Sequence, residues 1–371
     1  MATPELCARI MTPAKLLDVI MRRSLSAPQL RCFKGGDELH PDSYLGNVVS
    51  RRGQSLPMAR MDRLGQLIDS GCTIVLDTLD AFDATMEIAC VALQWWAREL
   101  VQVNTYLTTN DAAGFNLHWD DHDVMIVQLG GDKAWEVRGL SRPAPMYRDA
   151  ERNDEPSEEI VWSGTLKAGD VMHIPRGYWH QASRVDQGSG FSLHATFGFV
   201  KRTGVDWLSW LADQARQDVE FRRDLDRWNA CDGRLEQRVT ELAERFPQAA
   251  YLAAREQERS PRRRVVTSSA FGPITDVVCL TDFPPHITVD GATVRVIAAG
   301  KELTFAGRAE PALRALLSGN PANIEQVTAA TGVNAGVLAT TLLGAGLCAE
   351  LTGDLAVGYA GWCSAGTQFG E

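Results

Sequence analysis

Between residues 101 and 200 the chain is a succession of short alternating segments, and this constrains its fold more than any other feature. VQVNTYLTT alternates without a break. Val101, Val103, Thr105 and Leu107 fall on one side and Gln102, Asn104, Tyr106 and Thr108 on the other, because successive strand side chains point to opposite faces. FNLHWDDHD, VMIVQLGG, KAWEVRG, VWSGTLKAGDVMHIP and FSLHATFGFV follow, separated by turn residues. Several of them place polar residues on one face and apolar residues on the other. A barrel with a polar lumen would produce this pattern.

The flanks have a different texture, and the whole reads as α+β. TPAKLLDVIM (12–21) has helical apolar spacing, FKGGDELHPDSYLGN is turn-forming, and CTIVLDTL (72–79) reads as a strand. DATMEIACVALQWWARELV (83–101) reads as a helix with Asp83 as N-cap. After the β region, VDWLSWLADQARQDVEFRRDLDRW and GRLEQRVTELAERF are amphipathic helices separated by NACDG, and SPRRRVV (260–266) reads as an exposed linker. ITVDGATVRVIAAG is then strand-like, AEPALRALLSG, NIEQVTAATG and NAGVLATTLLGAGLCAEL are short helices, and LAVGYAGW reads as a closing strand. Strands flanking three short helices are winged-helix-like. The predicted organisation is residues 1–204 for N-terminal elements and a β domain (core about 72–200), 205–262 for a helical region, and 263–371 for a winged-helix-like domain.

A chain of 371 residues is long enough for two or three domains. Its net charge of −10 argues against general nucleic-acid affinity, which rests on basic surfaces. Residues 291–371 carry four basic side chains against six acidic ones, so no direct DNA binding is expected of that module. No apolar run approaches the roughly 18 residues of a membrane helix, and the first residues lack the features of a secretory signal. The eight cysteines (7, 32, 72, 90, 231, 279, 348 and 363) form no CxxC, which speaks against a zinc site or a disulfide framework. The expected setting is the cytoplasm, with no membrane partner.

Five of the seven histidines (118, 122, 173, 180 and 194) lie within the β region. His118 and Asp120 are two apart, a spacing that puts both on one face of a strand. His180 lies in GDVMHIPRGYWHQAS, which reads as strand, tight turn, strand. Two imidazoles and one carboxylate make the facial triad of non-haem Fe(II) sites, leaving positions open for a cosubstrate and O₂. His122, His173 and His194 remain alternative ligands. His122 shares the parity of His118, whereas His173 reads as a core or supporting histidine. Lys133 opens a strand in GGDKAWEVRG, and spacing alone leaves it an ordinary surface lysine.

NTYLTTNDAAGFNLHWDDHDVMIVQLGGDKAWEV, followed by GDVMHIPRGYWHQAS and SLHATFGF, resembles the JmjC-type ribosomal oxygenases. These are cupin-like, Fe(II)- and 2-oxoglutarate-dependent protein hydroxylases with a double-stranded β-helix core. The resemblance implies that His118, Asp120 and His180 are the iron ligands. It also implies that Lys133 and Thr108 receive the far carboxylate of 2-oxoglutarate, and that Asn104, Tyr106 and His194 line the cosubstrate and metal pocket. It further implies a homodimer built by the post-barrel helices, with WLSWLADQARQDVEF at the interface, and a histidine or arginine side chain of a ribosomal protein as target. The negative charge suits such a basic protein or peptide substrate. Two alternatives stand beside this reading: hydroxylation of a peptide natural-product precursor, and a non-catalytic cupin-like binding protein. The charged segment 142–162 and the first sixty residues depart from the family pattern.

Overall fold

The computed structural model describes residues 3–146, 155–225, 233–258, 265 and 270–366. The chain divides into two compact units, one of Met1–Leu93, Leu100–Val200 and Thr352–Glu371, the other of Gln94–Glu99 and Lys201–Leu351.

The first unit opens with α1 (Pro4–Ile10) and α2 (Pro13–Arg22), where the hydroxyls of Thr3 and Thr12 accept from the free amides of Leu6 and Lys15. There follow β1 (Leu30–Lys34), β2 (Asp37–Glu38), the hairpin β3 (Leu45–Val49) and β4 (Ser55–Ala59), α3 (Met61–Asp69), β5 (Thr73–Leu76) and α4 (Ala84–Ala97). Asp83 caps α4 by accepting from Met86 N at 3.0 Å, as its sequence predicts. The helix ends before the predicted Val101, because Arg98 turns left-handed (φ 57°) and Leu100 already belongs to the next strand. The barrel strands are β6 (Leu100–Thr109), β7 (Asp123–Leu140), β8 (Ile160–Lys167), β9 (Val171–Ile174), β10 (Tyr178–Ser183) and β11 (Phe191–Val200). All pair antiparallel in the order β10-β7-β11-β6-β5-β1-β2, with β8 and β9 also on β7.

The architecture turns on β7. The sequence divides VMIVQLGG from KAWEVRG, whereas the structure runs both through one strand of 18 residues. Its first half pairs with β11 and β9 and its second half with β10 and β8, so one strand serves both walls of the barrel. The change of wall occurs at Gly130–Gly131, immediately after Leu129, where the register against β11 shifts by one residue. Gly131 has φ 61°, and a Cβ there would lie 1.8 Å from the carbonyl oxygen of Phe191, so only glycine fits. Val124, Ile126, Trp135, Val137, Leu166, Ile174 and Ala182 form one apolar cluster inside the wrapped sheet.

The second unit contains α5 (Gly204–Ala215), α6 (Arg234–Arg245), α7 (Gln248–Glu256), β12 (Asp276–Cys279), β13 (His286–Asp290), β14 (Thr293–Ala298), β15 (Lys301–Ala306), α8 (Glu310–Leu316), β16 (Ala322–Asn323), α9 (Ile324–Thr331), α10 (Ala335–Ala345) and β17 (Cys348–Glu350). Thr203 and Asp206 form a reciprocal capping box at the start of α5. The three predicted short helices are present, but the third ends at Ala345, where Gly346 turns left-handed, and its predicted last residues Cys348–Glu350 are β17 instead. The strands form two sheets of three, β16-β12-β17 and β13-β14-β15. Most of NACDG and of SPRRRVV lies outside the described residues.

LAVGYAGW is not a closing strand. It belongs to α11 (Gly353–Gly366), counted with the first unit. Its alternation misleads because Leu355 and Tyr359 are buried while Val357 between them is exposed, which is helical spacing. No described helix is long and apolar enough to cross a membrane.

Replacing Gly131 by Ala is expected to destabilise the protein by at least ~2 kcal/mol, since the added methyl meets backbone that cannot move aside. Urea unfolding of the variant against wild type measures this directly.

Candidate metal centre

FNLHWDDHD is not a strand in the structure, although its parity argument survives. Most of it is irregular, with Asp120, Asp121 and Gly114 nearby as poor strand formers. A lone antiparallel bridge joins it to β10. His118 N donates to His180 O at 3.1 Å and His180 N donates to His118 O at 2.7 Å. The turn before β10 is tied in as well, with Gly177 N donating to Asp120 O at 2.8 Å. These backbone bonds bring the HxD segment and the PxGxxH segment to one place.

One ligand atom each from His118, Asp120 and His180 lies within 4.8 Å of the others. His180 Nε2 stands 3.6 Å from Asp120 Oδ2. The Nδ1 of His118 lies 2.7 Å from Asn116 O and that of His180 lies 3.1 Å from Tyr178 O, in each case the carbonyl two residues earlier. A carbonyl can only accept, so each Nδ1 carries the proton and each Nε2 presents a lone pair. Burial pushes the His180 imidazole below its ordinary value. The neighbouring His118 adds to this, and Asp120 opposes it. The neutral imidazole so favoured is the form that binds metal.

The other histidines are placed apart from this cluster. His122 pairs with Asp121 at 3.2 Å. His173 lies exposed on β9 and pairs with Asp123 at 3.3 Å, a correction to its reading as a core residue. His194, on β11, stacks on Tyr106 with ring centres 4.7 Å apart and meets Trp135 edge-on at 5.3 Å. Its Nδ1 is buried without a hydrogen-bond partner. Burial first, then Lys133, holds its imidazole well below the ordinary value.

A cavity of about 430 Å³, counting the space that opens to solvent, joins these groups. His118, Asp120 and His180 stand on its wall with Tyr106, His194 and Lys133. Lys133 is not at a strand opening. It sits inside β7, only 1% exposed, and its ammonium donates to Thr108 Oγ1 at 3.0 Å. Among the described residues no carboxylate lies within ion-pair distance of it. Burial, with a smaller contribution from Arg184, pulls its pKa down to about 7. Thr108 is fully buried behind the cavity and shares a hydrogen bond with Thr73 at 3.0 Å. Asn104 is set back from the cavity wall, and its Oδ1 accepts from Thr78 N at 2.9 Å.

Sequence reasoning missed Phe115, Thr73 and Gly114. Phe115 touches the rings of Tyr106 and His118 from a loop with no periodic signal. A Cβ on Gly114 would fall 2.1 Å from Ala182 O and 3.4 Å from Lys133 Nζ, so glycine lets this loop close over the lysine. Trp135 was findable, since it lies two residues beyond Lys133 on the same face.

The donor set fits a divalent iron, with two neutral imidazoles and one carboxylate on one side and cavity on the other. An uncompensated buried ammonium beside a hydroxyl fits a carboxylate group of a small acid.

Residues 81–203 match the JmjC domain family. Ribosomal oxygenase 1 of Gallus gallus is 31% identical over 202 residues, 51% of this chain and 33% of that protein. The bifunctional lysine-specific demethylase and histidyl-hydroxylase NO66 of Dictyostelium discoideum is 32% identical over 166 residues, 42% of this chain and 32% of that protein. The chain thus spans about a third of the length of these curated relatives. The solved structure of the Escherichia coli ribosomal oxygenase YcfD in complex with cobalt and 2-oxoglutarate shares the fold. It has a TM-score of 0.53, 16% identity and coverage of 94% of this chain and 91% of that one. The expected JmjC/cupin fold, with mixed α and β content and antiparallel sheets, is therefore present.

Lys133 generates a pH prediction for the ligand-free protein. In the unfolded chain a lysine holds its proton up to about 10.4, whereas the folded protein releases it near 7. Between those values the unfolded chain binds more protons, so stability rises with pH. Below 7 both states carry the charge and the folded state bears its full burial penalty. Lys133→Met is therefore expected to melt higher than wild type at pH 6, with the gap closing towards pH 10. Parallel melting curves for the two proteins would sink this assignment.

Proposed function

We propose that this chain is an Fe(II)- and 2-oxoglutarate-dependent dioxygenase that hydroxylates a histidine- or arginine-type side chain of a ribosomal protein. One observation carries the reading. The His118, Asp120 and His180 donors open onto the same cavity as a buried lysine that has no carboxylate partner among the described residues.

In this reading His118, Asp120 and His180 hold the iron, each imidazole through the Nε2 that its backbone hydrogen bond leaves free. Lys133 and Thr108 receive the far carboxylate of 2-oxoglutarate. Binding of that anion restores the lysine's proton affinity and offsets the burial penalty. Tyr106 and His194 wall the space, and Asn104 braces Tyr106 from behind. Bound iron supplies the activation of O₂ that splits 2-oxoglutarate into succinate and CO₂ and delivers one oxygen to the substrate. The apolar side chains of Val124, Ile126 and Trp135 keep the cavity poor in water, which strengthens each polar contact within it.

The names of the relatives support a protein substrate, and the net charge of −10 suits a basic one. Glu155, Glu158 and Glu159, exposed just before β8, add to that attraction. Exposed Val205 and Leu208 on α5, and an α6 that buries none of its residues, support assigning 205–262 to contact with a second copy of the chain. Helices α8, α9 and α10 among short antiparallel strands support the winged-helix-like reading of the module expected over 263–371, although its last helix, α11, is counted with the first unit. Its acidic balance supports a role other than direct DNA binding. The described cysteines form no disulfide, which suits a reducing cytoplasm.

His118→Ala or Asp120→Ala is expected to abolish succinate formation from 2-oxoglutarate. Lys133→Ala is expected to weaken 2-oxoglutarate binding by about 2–5 kcal/mol, more than tenfold in Kd, as truncating one member of a buried charge pair does. The substrate is tested by intact-mass spectrometry of host ribosomal proteins, wild type against a His118→Ala strain. One protein lighter by one oxygen in the mutant is the expected result, and identical masses across the ribosome would remove the ribosomal assignment.

A further inference from the structure

Cys279 and Cys348 stand directly opposite one another on β12 and β17. The register decides what kind of pair they make. Across the same two strands Leu351 N donates to Asp276 O at 3.0 Å, so Asp276 and Leu351 form a hydrogen-bonded pair. Bonded and non-bonded pairs alternate along an antiparallel ladder. Counting inward, Val277 with Glu350 is non-bonded, Val278 with Ala349 is bonded, and Cys279 with Cys348 is non-bonded. In non-bonded pairs the Cα atoms approach to about 4.5 Å and the side chains stand closest. A disulfide requires Cα atoms roughly 4.4–6.8 Å apart. The backbone is therefore already placed for an S–S bond.

The side chains agree with the backbone. Each thiol shifts the proton affinity of the other, as neighbouring groups do. Cys279 Sγ also lies 3.4 Å from Thr281 Oγ1, and Cys348 Sγ lies 3.5 Å from Leu316 O. The Cys348 thiol and the Thr281 hydroxyl together draw the Cys279 thiol below its ordinary value, while Cys348 is held well above it. The Thr281 hydroxyl beside Cys279 Sγ can stabilise a thiolate there, which makes Cys279 the readier nucleophile. Both are buried, but β17 is a three-residue edge strand, paired among the described residues with β12 alone. Local opening of such a strand would give a small reagent access without unfolding the module. Between the two cysteines lie α8, α9, α10 and the β13-β14-β15 sheet, so a bond here would close one loop around most of the C-terminal module.

We propose that Cys279 and Cys348 are a disulfide-forming site, a reversible dithiol oxidised by small disulfides of the glutathione type. The Cys279 thiolate attacks one sulfur of glutathione disulfide, breaking that S–S bond and expelling one glutathione thiolate. The Cys348 thiolate then attacks the Cys279 sulfur of the mixed disulfide and expels the second. Two electrons pass to the oxidant, and the two protons lost by the cysteines finish on two molecules of glutathione. None of this depends on the hydroxylase reading.

The test uses the full-length wild-type protein, incubated with glutathione disulfide or with dithiothreitol, alkylated in denaturant and mapped as peptides. The expected result is a linked pair of peptides containing Cys279 and Cys348, lighter by two hydrogens than the free thiols and lost on reduction. The link should be absent from Cys279→Ser and from Cys348→Ser. Complete alkylation of both cysteines after oxidant, or a stable glutathione adduct without the link, would overturn the proposal. So would linkage of either cysteine to a different one. Should a serine variant fail to fold, the wild-type map decides alone.

Discussion

The candidate site depends on two backbone hydrogen bonds, those exchanged by His118 and His180. The two residues are far apart in sequence, and the first belongs to a loop with no ladder of its own. Without the bridge the HxD segment would have no fixed position relative to β10. With it, both rings inherit the same geometry, and each Nδ1 finds the carbonyl two residues behind it. The bond from Gly177 N to Asp120 O extends this frame to the third donor. Gly114 makes the close approach possible by leaving room for Ala182 O.

The second constraint is electrostatic. A fold that buries Lys133 with a hydroxyl and, among the described residues, no carboxylate within reach sacrifices stability at that point, because desolvating an ammonium is unfavourable unless it is paired. Such violations of local rules concentrate where a ligand resolves them. His194, stacked on Tyr106 with an Nδ1 that has no hydrogen-bond partner among the described residues, belongs to the same pattern, and burial together with the nearby Lys133 depresses its proton affinity. The cavity is thus polar at defined points and apolar between them, which suits a small dianion held beside a metal.

Both constraints rest on β7. Because the strand changes walls at Gly130–Gly131, residues before the bend ladder with β11 and residues after it ladder with β10. Lys133 therefore comes to lie between the histidine of one wall and the metal donors of the other. A break in the strand at the glycines, as the sequence texture suggested, would have left the lysine at an open end facing solvent.

The sequence by itself determined the residue types of the site and their parity. The alternation of VQVNTYLTT set Tyr106 and Thr108 on one face, the two-residue spacing put His118 and Asp120 on one side, and Asp83 marked a helix start that the structure retains. These are legible because period and capping are properties of neighbouring residues. Tertiary structure alone decided that β7 is continuous, that Lys133 is buried, that His173 is exposed, and that residues 353–366 are a helix whose alternate residues imitate a strand. Each of these depends on which surfaces the closed sheet covers. Burial is set by contacts between segments distant in sequence, and no local pattern encodes it.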